Sequence, residues 1–95
     1  MQHRVIIVDG KDNVATASRQ LEEGDLIRVP ADGGNTEILL RQTIPAGHKL
    51  ALEDIEKGDP IVKYGEVIGL ATRKITRGDH VHVHNVEGLR GRGDK

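Results

Sequence analysis

Cysteine, phenylalanine and tryptophan are all absent from this 95-residue chain, and Tyr64 is its single aromatic residue. Without cysteine there is neither a disulfide framework nor a thiolate metal site. Without large aromatics the core must come from the Val, Ile, Leu and Ala that dominate the 36% apolar content. Each buried aliphatic side chain yields about 1.5–3 kcal/mol, so such a domain is modestly stable on its own and self-association would add to it. Long apolar runs are missing too. The longest, Val5 to Val8 and Ile38 to Leu40, fall far short of the roughly 20 residues that cross a bilayer, and the N-terminus lacks a signal-peptide core. These features exclude a membrane partner and point to a cytoplasmic protein. Nor is there an excess of one charge: 14 Lys and Arg face 15 Asp and Glu, for a net charge of −1. The basic face and stacking aromatics of a nucleic-acid binder are therefore absent.

What the chain does have is a repeated corner. The pattern Ala17-x3-Leu21-x2-Gly24-Asp25-x-Ile27 recurs as Ala51-x3-Ile55-x2-Gly58-Asp59-x-Ile61 and as Ala71-x3-Ile75-x2-Gly78-Asp79-x-Val81. Each copy reads as a strand ending near the Ala, a wide turn with one aliphatic plug, and a Gly at positive φ before the next strand. The unit is too short for a solenoid. Further turns are predicted at Asp9 to Asn13, at Pro30 to Asn35 between strands Leu26 to Val29 and Thr36 to Leu40, and at Pro45 to Gly47. Leu52 to Lys57 and Leu21 to Glu23 have room for one helical turn each. The fold class is all-β, a compact barrel-like or clip-shaped domain over residues 1–87, followed by a flexible Gly- and Arg-rich tail over 88–95. The Arg-Gly-Asp triplet in that tail is incidental in a cytoplasmic setting.

Chemistry concentrates in the histidines. His80, His82 and His84 stand at alternate positions, so a strand would project all three to one face. The same alternation also predicts Val81 and Val83 in the core with the histidines merely facing solvent. His84-Asn85, at the predicted strand end, is the stronger functional candidate. Across such a strand the first and third imidazoles lie roughly 13 Å apart, so at most two neighbours share one metal ion. His48, on the separate Gly47 turn, adds a ligand only if the fold brings it close. Lys63-Tyr64-Gly65 is a second candidate, since a cation and a phenol at a turn suit an anionic carboxylate. The simpler alternative has Tyr64 plugging the core and Lys63 solvated.

The order of Asp12-Asn13-Val14-Ala15, Gly47-His48-Lys49-Leu50-Ala51, Ile61-x-Lys63-Tyr64-Gly65 and His80-Val81-His82-x-His84-Asn85 resembles the SAF-type, β-clip region of the altronate and galactarate dehydratase family. It is also similar to the stand-alone small subunit of sulfolactate sulfo-lyase. The resemblance covers Val5 to Asn85. It implies a part in a lyase reaction that removes water, or sulfite in the sulfo-lyase branch, from a sugar acid or related hydroxy acid to give a 2-keto acid. It also implies a divalent metal, with iron favoured. On this reading His48 and His84 are the catalytic and metal-facing residues. Lys63, Tyr64, Gly65, His82 and Asn85 contact substrate, Lys63 neutralising a carboxylate. In the fused dehydratases a much larger catalytic portion accompanies this region, so the chain is expected to be inactive alone and to act as a small subunit beside a large one. The rival reading is a non-catalytic SAF-type module for ligand binding or assembly.

Overall fold

The computed structural model describes residues 5–6, 10–31 and 34–88. Among these every regular element is a strand: β1 Val5–Ile6, β2 Val14–Ala17, β3 Leu26–Ala31, β4 Gly34–Leu39, β5 Lys49–Ala51, β6 Pro60–Lys63, β7 Glu66–Ala71, β8 His80–Val81 and β9 Val86–Gly88. They form three small antiparallel sheets, ordered β1-β2-β5-β8, β3-β4 and β6-β7-β9. The all-β class expected from sequence is the one observed, although the segments with room for a helical turn hold plain turns and bends. The β3-β4 pairing also runs further than expected, to Ala31 opposite Gly34. Asp9, Asp32, Gly33 and the tail from Leu89 onward lie outside the described residues.

The repeated corner sets this architecture, and it occurs four times rather than three. The additional copy is Leu40-x3-Ile44-x2-Gly47-His48, hidden because Leu replaces the Ala and His replaces the Asp. In all four the Gly sits at φ between 84° and 91°, a region that penalises any Cβ. The fourth residue of each turn closes back on the first. The N–H groups of Asp25, His48, Asp59 and Asp79 donate to the carbonyls of Glu22, Pro45, Glu56 and Thr76 at 2.8–3.0 Å.

The copies then lock together in two pairs. The plugs pair across isolated bridges, Leu21 with Ile44 and Ile55 with Ile75, and each is at most 3% exposed. In the first pair Gly24 N–H donates to Leu40 O, Gly47 N–H to Ala17 O, Leu40 N–H to Asp25 O and Ala17 N–H to His48 O. The second pair repeats the pattern between Gly58 and Ala71, Gly78 and Ala51, Ala71 and Asp59, and Ala51 and Asp79. Thus a short sequence motif becomes a backbone clasp, used once for each half of the core. One half gathers Ala15, Ala17, Leu21, Ile27, Ile38, Ile44 and Leu50 among others, and the other gathers Val14, Ala51, Ile55, Ile61, Ile75 and Val81. Strands β2 and β5 contribute to both, so the sheet containing them joins the halves.

Candidate functional site

Three of the four turns use the Asp carboxylate to cap the turn from inside. Glu22, Glu56 and Thr76 each donate their N–H to the Asp three residues on, at 3.0, 3.3 and 2.8 Å. The remaining turn starts with Pro45, which has no N–H to cap. Its fourth residue therefore needs no acceptor, and His48 occupies that position with its ring directed elsewhere. Strands β5 and β8 pair with Lys49 opposite Val81 and Leu50 opposite His80. Extending this register by one residue sets His48 across from His82, on the face that also carries His80.

The histidine run itself departs from a continuous strand. Strand β8 ends at Val81, and residues 82–85 form a turn. Val83 is 81% exposed instead of core. The cause is Asn85, which closes the turn much as the aspartates do elsewhere. Its Oδ1 accepts the His82 N–H at 2.9 Å, its own N–H donates to His82 O at 3.1 Å, and its Nδ2 donates to His80 O at 2.9 Å. Asn85 is 4% exposed, and these bonds direct both its side-chain polar atoms to backbone. Because the chain curls here, the His80 and His84 rings come within 5.1 Å of each other, centroid to centroid, instead of the separation of an extended strand.

The result is a cluster of four imidazoles. His48 and His82 stack with ring centroids 3.8 Å apart and planes 13° from parallel. His80 lies 5.0 Å from His48 and 5.7 Å from His82, and His48 Nδ1 meets His80 Nε2 at 2.8 Å, one ring donating and the other accepting. Gln42 Oε1 holds the His80 backbone N–H at 2.8 Å. One nitrogen from each of His48, His80 and His82 falls within 4.8 Å of the others, and all three residues are half-buried. His84 lies outside that trio and is exposed. Partial burial first, then the neighbouring imidazoles, pushes the His80 pKa below the usual histidine value. His82 is lowered by partial burial, by His48 and by the Lys49 ammonium. Both shifts favour the neutral form of the ring, which can accept a proton or bind a cation. An all-imidazole donor set suits iron, zinc, copper or nickel and is a poor match for calcium or magnesium.

Lys63, Tyr64 and Gly65 lie at the β6–β7 turn. The simpler sequence alternative is reversed here: Lys63 is 8% exposed and Tyr64 57%. Tyr64 takes φ of 57°, and the Lys63 ammonium sits 3.3 Å from its ring centroid, a cation–π contact. In sequence Asp12 and Asn13 stand out as turn residues and as the start of the family resemblance, with no link to this hairpin. Instead, the Asp12 carboxylate accepts the N–H groups of Tyr64 and Gly65 at 3.0 and 2.9 Å, and Asn13 bonds Pro60 O and the Val62 N–H. A groove of about 240 Å³, lined by Ile68, Val81, Val83 and Val86, also takes in Lys49 and His82.

Residues 3–89 match the family model described as the altronate/galactarate dehydratase SAF domain. The chain belongs to that family. A segment of 80 residues is 45% identical to altronate dehydratase from Escherichia coli (strain K12), covering 84% of this chain and 15% of that enzyme. The Bacillus subtilis (strain 168) altronate dehydratase is 42% identical over 82 residues, 86% of this chain and 16% of the enzyme. The (2R)-sulfolactate sulfo-lyase subunit alpha of Paracoccus pantotrophus is 39% identical over 57 residues, 60% of this chain and 85% of that subunit. The chain therefore spans a small part of the dehydratases, most of the Paracoccus pantotrophus sulfo-lyase subunit and about half, 51%, of the Chromohalobacter salexigens one. The SAF domain is a β-clip, in agreement with the paired turns and short sheets described above, and the two altronate dehydratase alignments reach well beyond the histidine turns alone.

Proposed function

We propose that this SAF domain is the small, non-autonomous part of a lyase that eliminates water from a sugar acid or related hydroxy acid to give a 2-keto acid, acting with a larger catalytic portion. Family membership supports the reaction class. The observation that carries the site is the meeting of His48 with the His80–His84 turn, which gathers four imidazoles at one half-exposed edge. An elimination next to a carboxylate needs a base for the carbon-bound proton, positive charge for the enediolate and an acid for the leaving group. Neutral imidazoles serve as base and, once protonated, as acid. His84, exposed and beside His80, is our candidate for proton exchange with solvent. Lys63, positioned by the Asp12-held turn, is our candidate for a carboxylate contact. The mainly aliphatic groove beside His82 suits a protein segment better than a polyhydroxy acid, so we assign it to contact with the larger portion.

A sulfo-lyase is the second reading, favoured by the match to a stand-alone alpha subunit of which the chain covers 85%. One experiment addresses both. Turnover of altronate, galactarate and sulfolactate is measured for this chain alone and mixed with the large catalytic portion of a dehydratase or sulfo-lyase of this family. The proposal expects no turnover by either alone and turnover of one acid by the mixture. Activity of the larger subunit that this chain leaves unchanged would refute it.

A further inference from the structure

We infer that the outer edge of β9 takes up an extended segment of the larger catalytic portion as an added strand, with apolar side chains of that segment in the groove beside His82 and one of its carboxylates on Lys49. The inference deepens the groove assignment made above and rests on the reading that such a portion acts with this domain.

The β7-β9 ladder decides which backbone groups face outward. Thr72 N–H donates to Asn85 O at 2.9 Å, and Leu70 stands opposite Glu87 and Ala71 opposite Val86. The alternation of an antiparallel pair therefore turns the backbone polar groups of Glu87 toward β7 and those of Val86 and Gly88 away from it. Among the described residues none bonds those outward N–H and C=O groups. The other edges with described surroundings are covered or blunted. Asn13 covers β6, its side chain bonding Pro60 O and the Val62 N–H while its own N–H donates to Val62 O. Gln42 and Asn85 cover β8 through the His80 N–H and the His80 carbonyl. On β4 Arg77 Nη2 donates to Glu37 O, and β3 carries Pro30, which has no N–H to offer. Proteins close the strand edges they do not use, because an open edge invites another strand. Among these edges β9 is the one left open.

The groove lies against this same edge, since Val86 and Gly88 line it together with Ile61, Ile68 and Val83. Val83 is largely exposed, and a Cβ at Gly88 would meet nothing within 4 Å, so there is room for incoming side chains. A strand laid along β9 would bond the edge through its backbone and send alternate side chains into the groove, the division of affinity and specificity found in strand addition. Lys49, at the groove, makes no ion pair among the described residues, which calls for a carboxylate on the occupant. The family match ends at residue 89, one residue past β9, and takes in 15–16% of the two altronate dehydratases, so one of its two boundaries with the remainder of such an enzyme falls at this edge. A second copy of the chain fits less well, because a twofold pairing centred on β9 sets Glu87 opposite Glu87, like charges directly across the strands. Docked beside His82, the segment would bring groups of the larger portion against the imidazoles.

The test is binding of this chain to the large catalytic portion of a dehydratase or sulfo-lyase of this family, by isothermal titration, with turnover of the mixture measured alongside. Gly88→Ala keeps the outward N–H and serves as the reference. Gly88→Pro removes that donor without touching the bonds to β7, and it should bind about tenfold more weakly than Gly88→Ala. Lys49→Glu should weaken binding by about tenfold or more. In the wild-type complex, amide exchange at Val86 and Gly88 should slow by about tenfold or more relative to the free chain. Melts of the free variants check that they are folded, and the exchange measurement needs no variant. Equal affinity of Gly88→Pro and Gly88→Ala with unchanged exchange at Val86 and Gly88 would overturn the inference, as would absence of binding. Self-association of the chain alone that Gly88→Pro abolishes would give the edge to a second copy and overturn it too. Binding with the expected effects but no turnover would uphold the inference and count against the lyase reading, whereas turnover by a complex indifferent to the β9 edge would do the reverse.

Discussion

Replacing Asn85 should unfasten the turn that carries the histidines, and the size of the effect follows from its bonds. Asn85→Ala removes the acceptor for the His82 N–H and the donor to His80 O, both at 2.9 Å, and nothing else in the turn is placed to substitute. A buried backbone group left unpaired costs about 1–3 kcal/mol. His80 and His82 are only half-buried, so water can reach the turn and the lower end applies, about 2–3 kcal/mol for the two. For a domain of this size each kcal/mol shifts the melting temperature by about 4–8 °C, giving a drop of roughly 8–24 °C. Asn85→Asp keeps an acceptor for the His82 N–H but faces His80 O with a carboxylate, so it should fall between wild type and Ala. Circular-dichroism melts measure both. A melting temperature for Asn85→Ala within about 2 °C of wild type would refute this role. Coupled to a raised KM in the reconstituted lyase, it would return Asn85 to the substrate-contact role suggested by sequence.

Gly78→Ala should cost at least about 3 kcal/mol, because a Cβ there meets the Leu39 carbonyl while φ is +91°. Gly58→Ala, with similar φ and open space around it, should cost about 1–2 kcal/mol, and urea midpoints that fail to separate the two would count against the close packing of the Gly78 turn. Because His80 and His82 have lowered folded-state pKa values, the unfolded chain binds more protons than the folded one below about pH 6.5. Stability is therefore full above that pH and declines as pH falls through the folded-state values. Melts at pH 7.5 and 5.0 should show this decline, and His80→Asn/His82→Asn should reduce it; an unchanged slope in the double variant would place the titrating groups elsewhere. Thr16 Oγ1 is buried without a hydrogen-bond partner, so Thr16→Val should stabilise by about 1 kcal/mol, and a lowered urea midpoint would contradict it.

Sequence periodicity reveals the strands and three of the four corners because Gly-Asp turns carry their conformation in two adjacent residues. The fourth copy escapes, since Leu40 and His48 change the visible signature while keeping the turn. A search for the aliphatic-x2-Gly spacing alone would have found it. The histidine alternation was legible as a cluster, but its geometry was not. Extending β8 through His84 separates the rings, whereas Asn85 ends the strand at Val81 and curls them together. His80 entered the trio, and His84 stayed outside, through a local side-chain-to-backbone bond that periodicity does not encode. The arrival of His48 depends on the pairing of β5 with β8, some thirty residues apart in sequence. The reversal at Lys63 and Tyr64 has a similar origin: Asp12, some fifty residues away in sequence, holds the hairpin turn in which Tyr64 has positive φ and points outward.

The most direct test of the account is the initial rate of the reconstituted two-part lyase with His48→Ala in place of wild type, at saturating hydroxy acid and supplied divalent metal. The account predicts a fall of about 100-fold or more with the melting temperature of the small domain nearly unchanged, since His48 makes no cap that its turn requires. A rate equal to wild type would contradict it, leaving the histidine cluster without a part in the chemistry.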